Sequence, residues 1–405
     1  MAGLLDGTRV VELAHWIAGP TAAAVLADWG AEVIKIEPPA GDGLRGALVS
    51  AFPTKRGESE NPFFEHVNRG KRSVCLDFHT EEGREIVLAL LREADVLITN
   101  FRPRVLRRAR LTYDDVAALN PRLVYCQITG YGPDHEESDR ALVDVGVYAR
   151  IGTAAMVTPP DSPDAPPPQE PNMMFDHTTG VAAAGAIVAA LYARQRTGQG
   201  QRLAVSLVRM GAFMMSWDLL RAARLGSRVR PVDREHVRNP LINCYRAKDG
   251  RWFWLLFAQP DPYWPLVCRI TGRQDLLEDS RFADIYGRSQ HAPELVRELD
   301  KAFAQKTLAE WAAIFDAEGV WWAPVNSPNE AVADPLVHKT GAFVDVPSGN
   351  GGALRLLATP ADFYGAEHGP KGPPPELGQH TEEVLLSLGY DWPQIVGLKE
   401  RGVIP

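Results

Sequence analysis

Asp176 stands where an apolar run, Met173-Met174-Phe175, gives way to the Ala-rich helical pattern "HTTGVAAAGAIVAALYARQRTGQGQ". A helix start accepts aspartate simply as a cap, because its carboxylate faces unpaired backbone N–H groups. The apolar run before it also holds water away, and a poorly hydrated carboxylate can act as a nucleophile that forms covalent intermediates. Both uses fit the residue types. Upstream, "PPDSPDAPPPQEP" from Pro159 to Pro171 is proline-rich and mostly polar, and reads as an extended loop.

The densest basic stretch is "NFRPRVLRRARL", with five arginines from Arg102 to Arg110 directly after a strand-like run ending at Asn100. Guanidinium groups hold phosphates through planar, paired donors, and ligands of parallel α/β sheets sit outside the carboxyl ends of strands. A solvated helix face is the competing reading. Ten histidines invite a metal site, yet none forms an HExxH and no Cys/His spacing fits zinc, so no metal is expected. No GxSxG supplies a serine nucleophile. GxGxxG and GxxxxGK[ST] are both missing, which removes the dinucleotide fingerprint and the P-loop.

Elements that must position these groups are legible along the first half of the chain. "RVVEL", "AEVIKIE", "RSVCLDF", "DVLITN", "LVYCQITG" and, later, "RLAVSLV" read as strands. Between the first two, "AGPTAAAVLADWG" has Pro20 near its start and Gly30 just past its end, the asymmetry of a helix. Strands alternating with helices imply βαβ units and a parallel sheet covered on both faces, a doubly wound α/β domain. The character changes near residue 225. "INCYRAKDGRWFWLLF" reads as a hairpin turning at Asp249-Gly250. Two capping boxes follow, at Thr307/Glu310 and Ser327/Glu330. Residues 225–331 therefore form a smaller α+β domain, and 1–224 with 332–405 the large one.

At 405 residues two domains are the natural prior, with 45% hydrophobic and 23% charged residues as in ordinary globular chains. A net charge of −8 argues against nucleic acid or an anionic membrane as partner. The run "VAAAGAIVAAL" is short for a membrane span. Cys75, Cys126, Cys244 and Cys268 form no CxxC pair and read as free thiols. With no secretory signal at the start, a cytoplasmic protein is expected.

Taken in order, these stretches resemble the class III CoA-transferase family, the CaiB/BaiF group. The likeness runs through "LDGTRVVELAHWIAGPTAAAVLADWGAEVIKIEPPAGD", "NRGKRSVCLDFHTEEGREIVLALLREADVLITNFRPRVL", "LNPRLVYCQITGYG", the "FDHTTG" block, "YRAKDGRW" and "LGQHTEEVLLSLGY". The resemblance implies a Rossmann-like large domain, an inserted small domain and an interlocked homodimer. It implies acyl-CoA and a carboxylic acid as substrates, with no tightly bound cofactor. Asp176 matches the family's catalytic aspartate, with Phe175 in place of the usual Gly, a change expected to crowd the nucleophile's approach.

By the same matching, Trp16, Leu76, His79, Asn100, Phe101 and Arg108 fall where relatives contact CoA; Arg104 and Arg72 are added for their charge, and His15 and Asp144 as substrate-side candidates. Ile17 and "LLFAQPDPYW" depart from the formyl-CoA branch, which carries Gln and a glycine-rich loop there. The family's racemases of 2-methylacyl-CoA carry His where Val143 stands, and valine moves no proton. A CoA-transferase is therefore expected, with a racemase as the alternative. Trp321 and Trp322 are expected to pack, with the acyl pocket as their other use.

Overall fold

The computed structural model describes residues 2–47, 61–159, 166–168, 173–226, 229–231, 233–348 and 352–405. Most of the proline-rich loop lies outside the described residues. Six strands form one parallel sheet: β1 (Arg9–Leu13), β2 (Glu32–Glu37), β3 (Arg72–Cys75), β4 (Val96–Thr99), β5 (Val124–Thr129) and β6 (Arg202–Ser206). Their order, β3-β2-β1-β4-β5-β6, is that of doubly wound nucleotide-binding sheets. The order reverses between β1 and β4, and a crevice opens beyond the carboxyl ends at such a point.

Residue alternation explains why both faces are covered. Val10, Val33, Val96 and Val124 point to one core, with the helices Ala18–Asp28 and Met174–Thr197 over them. Val11, Ile34, Leu97 and Tyr125 point to the other, under the helix Glu81–Glu93. The chain's end completes that second face: Val384, Leu385, Ile395 and Leu398 join its core. Its anchors are backbone bonds, Asp77 N–H to Val403 O at 2.9 Å and His380 N–H to Ser73 O at 2.9 Å.

The Met174–Thr197 helix has 24 residues, and an 18-residue window within it has a mean hydropathy of 1.3, enough to cross a bilayer by length and composition alone. The uninterrupted apolar run "VAAAGAIVAAL" is the shorter middle of this helix. The inner face of the helix, including Phe175, Gly180, Ala183, Ala184 and Ile187, is buried in the protein core. Small residues let it press closely on the Ala18–Asp28 helix. A Cβ placed on Gly180 would stand 2.6 Å from Thr21 Cβ and 2.7 Å from Ala18 O.

The chain divides into two compact units. One comprises Met1–Ala154, Gln169–Ser227 and Lys339–Pro405, and the other Ala155–Pro168 and Arg228–His338. The second thus runs past the boundary expected at 331. Side chains explain the extension: Arg251 pairs with Glu330 at 2.9 Å, and Asn326 donates to Asp334 at 3.2 Å. Within this unit β7 (Ile242–Arg246), β8 (Trp252–Leu256) and β9 (Trp322–Pro324) form an antiparallel sheet. Gly250 turns the hairpin with φ of 82°. Both expected capping boxes are present, and Tyr245, Phe253, Phe303, Trp311 and Phe315 form the aromatic core. Trp321 packs against Tyr263 with ring centroids 5.4 Å apart, and Trp322 donates its indole N–H to Asp316 at 3.0 Å.

Gly180→Val should cost about 1–3 kcal/mol, since backbone and Cβ atoms of the facing helix have no free end to swing aside. Thermal unfolding of the variant checks this; an unchanged midpoint would mean that the two helices are not pressed together there.

Candidate active site

A cavity of about 520 Å³ opens where the carboxyl ends of the central strands meet. After β1 come His15 and Trp16, and the segments after β3 and β4 supply His79, Asn100 and Phe101. The end of β5 adds Ile128, Thr129 and Gly130, and Leu207 stands just after β6. Asp176 and Val143 complete the wall. Parallel strands deliver these groups to one place because every strand ends on the same side.

Asp176 is the third residue of its helix, not its cap; the N-cap position is held by Met173 in left-handed conformation, φ 48°. The capping is done from elsewhere. Asp144, the first residue of the helix Asp144–Arg150, accepts the Asp176 backbone N–H at 2.7 Å. Asp144 is buried at 5% exposure, and its other oxygen has no hydrogen-bond partner among the described residues. Asp176 is partly buried. Loss of water, and then the nearby Asp144 charge, push its carboxyl up to about 7. A carboxylate this basic is a stronger nucleophile than a solvated one, and it is ionised above neutrality.

Burial favours the neutral form of three nearby histidines. His177, next in the chain, has its pKa lowered by desolvation and lies 3.3 Å from the Thr21 hydroxyl through Nδ1. Its ring is 5.6 Å from that of His66, which burial and then Arg69 lower to about 3. His15 is also lowered by burial, and its Nε2 has no hydrogen-bond partner. Asn100 fixes the His15 backbone on both sides, accepting its N–H at 2.9 Å and donating to its carbonyl at 2.6 Å.

The sequence-derived residues divide. Trp16, His79, Asn100, Phe101, His15 and Asp176 share the cavity wall, while Asp144 sits behind Asp176. Arg72 is a correction: it begins β3, at the amino end of the sheet, and pairs with Glu32 at 2.6 Å and Glu383 at 3.1 Å. Leu76 is a second, its side chain fully buried in the sheet core. Arg104 and Arg108 lie on the helix Pro103–Ala109 outside the cavity lining, Arg104 donating its backbone N–H to Asp139 at 2.6 Å. The arginines in the wall are Arg102 and Arg140 instead. Arg102 was readable as the first guanidinium after the β4 end; nothing in the sequence marked Arg140. Phe175 does not crowd the nucleophile, because its ring is buried in the helix core at 1% exposure.

A doubly wound sheet with a carboxylate facing its switch-point cavity defines a class of small-molecule enzyme sites. Comparison with known proteins then narrows that class. Residues 5–381 match the family model for CoA-transferase family III. The chain is 34% identical over 99% of both chains to the (R)-2-hydroxy-4-methylpentanoate CoA-transferase of Clostridioides difficile. A probable fatty acyl-CoA transferase of Mycobacterium tuberculosis is 32% identical over 94% of this chain and 97% of its own. A crystal structure of a CaiB/BaiF family protein from Brucella suis superposes with a TM-score of 0.83 at 31% identity, covering 96% of this chain and all of that one. The chain belongs to CoA-transferase family III.

Removing the Asp144 charge should lower the proton affinity of Asp176. We expect Asp144→Asn to move the acid limb of the kcat/KM profile for acyl-CoA below its starting midpoint near 7. Burial, the larger cause, persists, so the midpoint stays above the ordinary carboxylate range. A pH profile of the two proteins is the check, and an unmoved midpoint would show that Asp144 acts only as a cap.

Proposed function

We propose that the protein transfers CoA from an acyl-CoA donor to a free carboxylic acid through covalent bonds to Asp176. The observation that carries this is the placement of a basic, partly dehydrated carboxylate in the wall of the switch-point cavity. The Asp176 oxygen attacks the thioester carbonyl, giving a mixed anhydride and CoA thiolate. The thiolate attacks the aspartyl carbonyl, releasing the donor's free acid and leaving an aspartyl-CoA thioester. The acceptor carboxylate attacks that thioester to form a second anhydride and thiolate again. Attack of the thiolate on the acceptor's acyl carbon yields the new acyl-CoA and returns the Asp176 carboxylate. Each step exchanges one acyl bond for another, so no proton or electron is consumed.

Cavity chemistry supports CoA esters of modest apolar acids. Val105, Ile128, Leu142 and Leu207 give an apolar wall for acyl and pantetheine carbons, with Arg102 and Arg140 as cations for an acid or phosphate group. We further propose a cytoplasmic homodimer. Four free cysteines suit a reducing compartment. Exposed Phe213, Trp217 and Leu220, at 74%, 77% and 55%, offer apolar surface for a second copy to cover.

Asp176→Ala should abolish exchange while leaving CoA binding nearly unchanged and the thermal midpoint no lower, since an unfavourable charge is removed. Hydroxylamine added after a productive acyl-CoA should convert Asp176 to the hydroxamate, read by mass spectrometry. Full activity in the alanine variant, or label on another carboxylate, would refute the mechanism.

A 2-methylacyl-CoA racemase would instead exchange the α-proton with solvent, using an acid and a base on opposite faces. Val143, in the cavity wall, carries no proton at the position where the family's racemases hold histidine. Incubation of a 2-methylacyl-CoA in D₂O should therefore give no α-deuterium while transfer to a suitable acid proceeds. Rapid α-deuteration that disappears in Asp176→Ala, without transfer to any acid, would favour the racemase.

A further inference from the structure

Trp16 forms part of the cavity wall in a backbone conformation that side chains avoid. Its φ is 63°, a left-handed state that costs a residue with a Cβ about 1–2 kcal/mol. Something must hold it. Directly beneath lies a group of four charges with fully buried side chains: Glu12, Lys35, Asp42 and Lys71. Lys35 Nζ lies 2.8 Å from Glu12 and 2.9 Å from Asp42, and Lys71 Nζ lies 2.6 Å from Glu12. The Lys35–Asp42 and Lys71–Glu12 pairs are close in distance without being aligned hydrogen bonds. Two positive and two negative charges balance, which makes their burial tolerable.

Three of the four reach the backbone around Trp16, and Glu12 holds the two lysines. Lys35 donates to the Ala14 carbonyl at 2.9 Å, and Lys71 to the Pro20 carbonyl at 3.0 Å. Asp42 Oδ1 accepts the Trp16 N–H at 3.1 Å and the Leu44 N–H at 2.9 Å. One carboxylate oxygen therefore ties the left-handed residue to the loop after β2. The next residue, Gly43, lies against the indole: a Cβ there would stand 3.0 Å from Trp16 Cζ2. With one side against Gly43 and 53% of the residue exposed, the indole is positioned as a flat panel of the cavity.

We propose that Asp42 and Gly43 are positioning residues that set the Trp16 indole as a binding surface for acyl-CoA, with the Lys35 charge holding Asp42 in place. This rests on the cavity being the acyl-CoA site. A panel that contacts the ligand equally in ground and transition states governs KM and leaves kcat alone.

The test is a graded series, Gly43→Ala and Gly43→Val, with Asp42→Asn beside it. Gly43 is exposed, so its variants should keep the wild-type thermal midpoint. KM for acyl-CoA should rise on the order of fivefold or more in Gly43→Val, less in Gly43→Ala, with kcat within about twofold. Asp42→Asn breaks the charge balance and is expected to lose stability; where it folds, KM should rise likewise. A double-mutant cycle isolates the cause: in a Trp16→Ala background, Gly43→Val should have no further effect. An unchanged KM in a folded Gly43→Val protein, or the same rise with Trp16 absent, overturns the proposal. Calorimetric binding of CoA to Asp176→Ala, with and without Gly43→Val, separates the two levels. Loss of affinity only with Gly43→Val supports the panel. Undiminished CoA binding with Gly43→Val present overturns it while leaving the covalent mechanism standing. No CoA binding by either protein refutes the site assignment, and the panel with it.

Discussion

The site depends on keeping two carboxylates close together at a place where water is scarce. Asp144 is tied to the Asp176 backbone at 2.7 Å, so its charge cannot retreat from the nucleophile. Two like charges in a poorly hydrated place raise the affinity of one for a proton. The sign for stability follows. Because the folded-state value of Asp176 lies near 7 against an ordinary 3.8, its contribution to stability is fully present below about 4 and is lost as pH rises through 7. Above neutrality, then, the fold bears an unfavourable charge at this residue.

Such a charge is tolerated only on a rigid support. The Met174–Thr197 helix provides one, through an Ala- and Gly-lined contact with the Ala18–Asp28 helix close enough to exclude a Cβ at Gly180. The same Ala18–Asp28 helix begins just after the Trp16 turn, and the buried Glu12, Lys35, Asp42 and Lys71 group holds that turn from below. Removing one member of a buried charge group leaves a partner uncompensated, typically a loss of about 3–5 kcal/mol. Within the large unit, one pair of helices therefore supports both Asp176 and the Trp16 part of the cavity wall.

How much of this was readable before the coordinates depends on range. Strand and helix identities rest on local patterns, and all six sheet strands were visible as β-branched runs. Both small-unit capping boxes were visible for the same reason, since each is complete within four residues. Arg72 was misjudged despite a local signal, since it opens the run "RSVCLDF" and ligands sit beyond the carboxyl ends of strands. Its charge beside a strand looked available for phosphate, but it begins β3 and therefore lies at the wrong end of the sheet. Leu76 failed because strand alternation alone does not say which residue past a strand end still points into the core. Arg140 reaches the cavity through a loop path that no periodicity describes.

Phe175 shows how a departure from a family pattern can be misread from sequence. A large ring beside a nucleophile reads as an obstacle when the helix phase is unknown. Adjacent helical residues point about 100° apart, so a residue facing the cavity puts its predecessor on another face. Phe175 accordingly enters the core among Ala183, Ala184 and Ile187 while Asp176 faces the cavity. The ring adds buried apolar surface in the first turn of the helix, where Met173 gives no side-chain cap. Burying a ring there anchors the first turn from inside while Asp144 holds it from outside. Phe175 therefore bears on the rigidity of the helix that carries Asp176, and other residues set the size of the cavity.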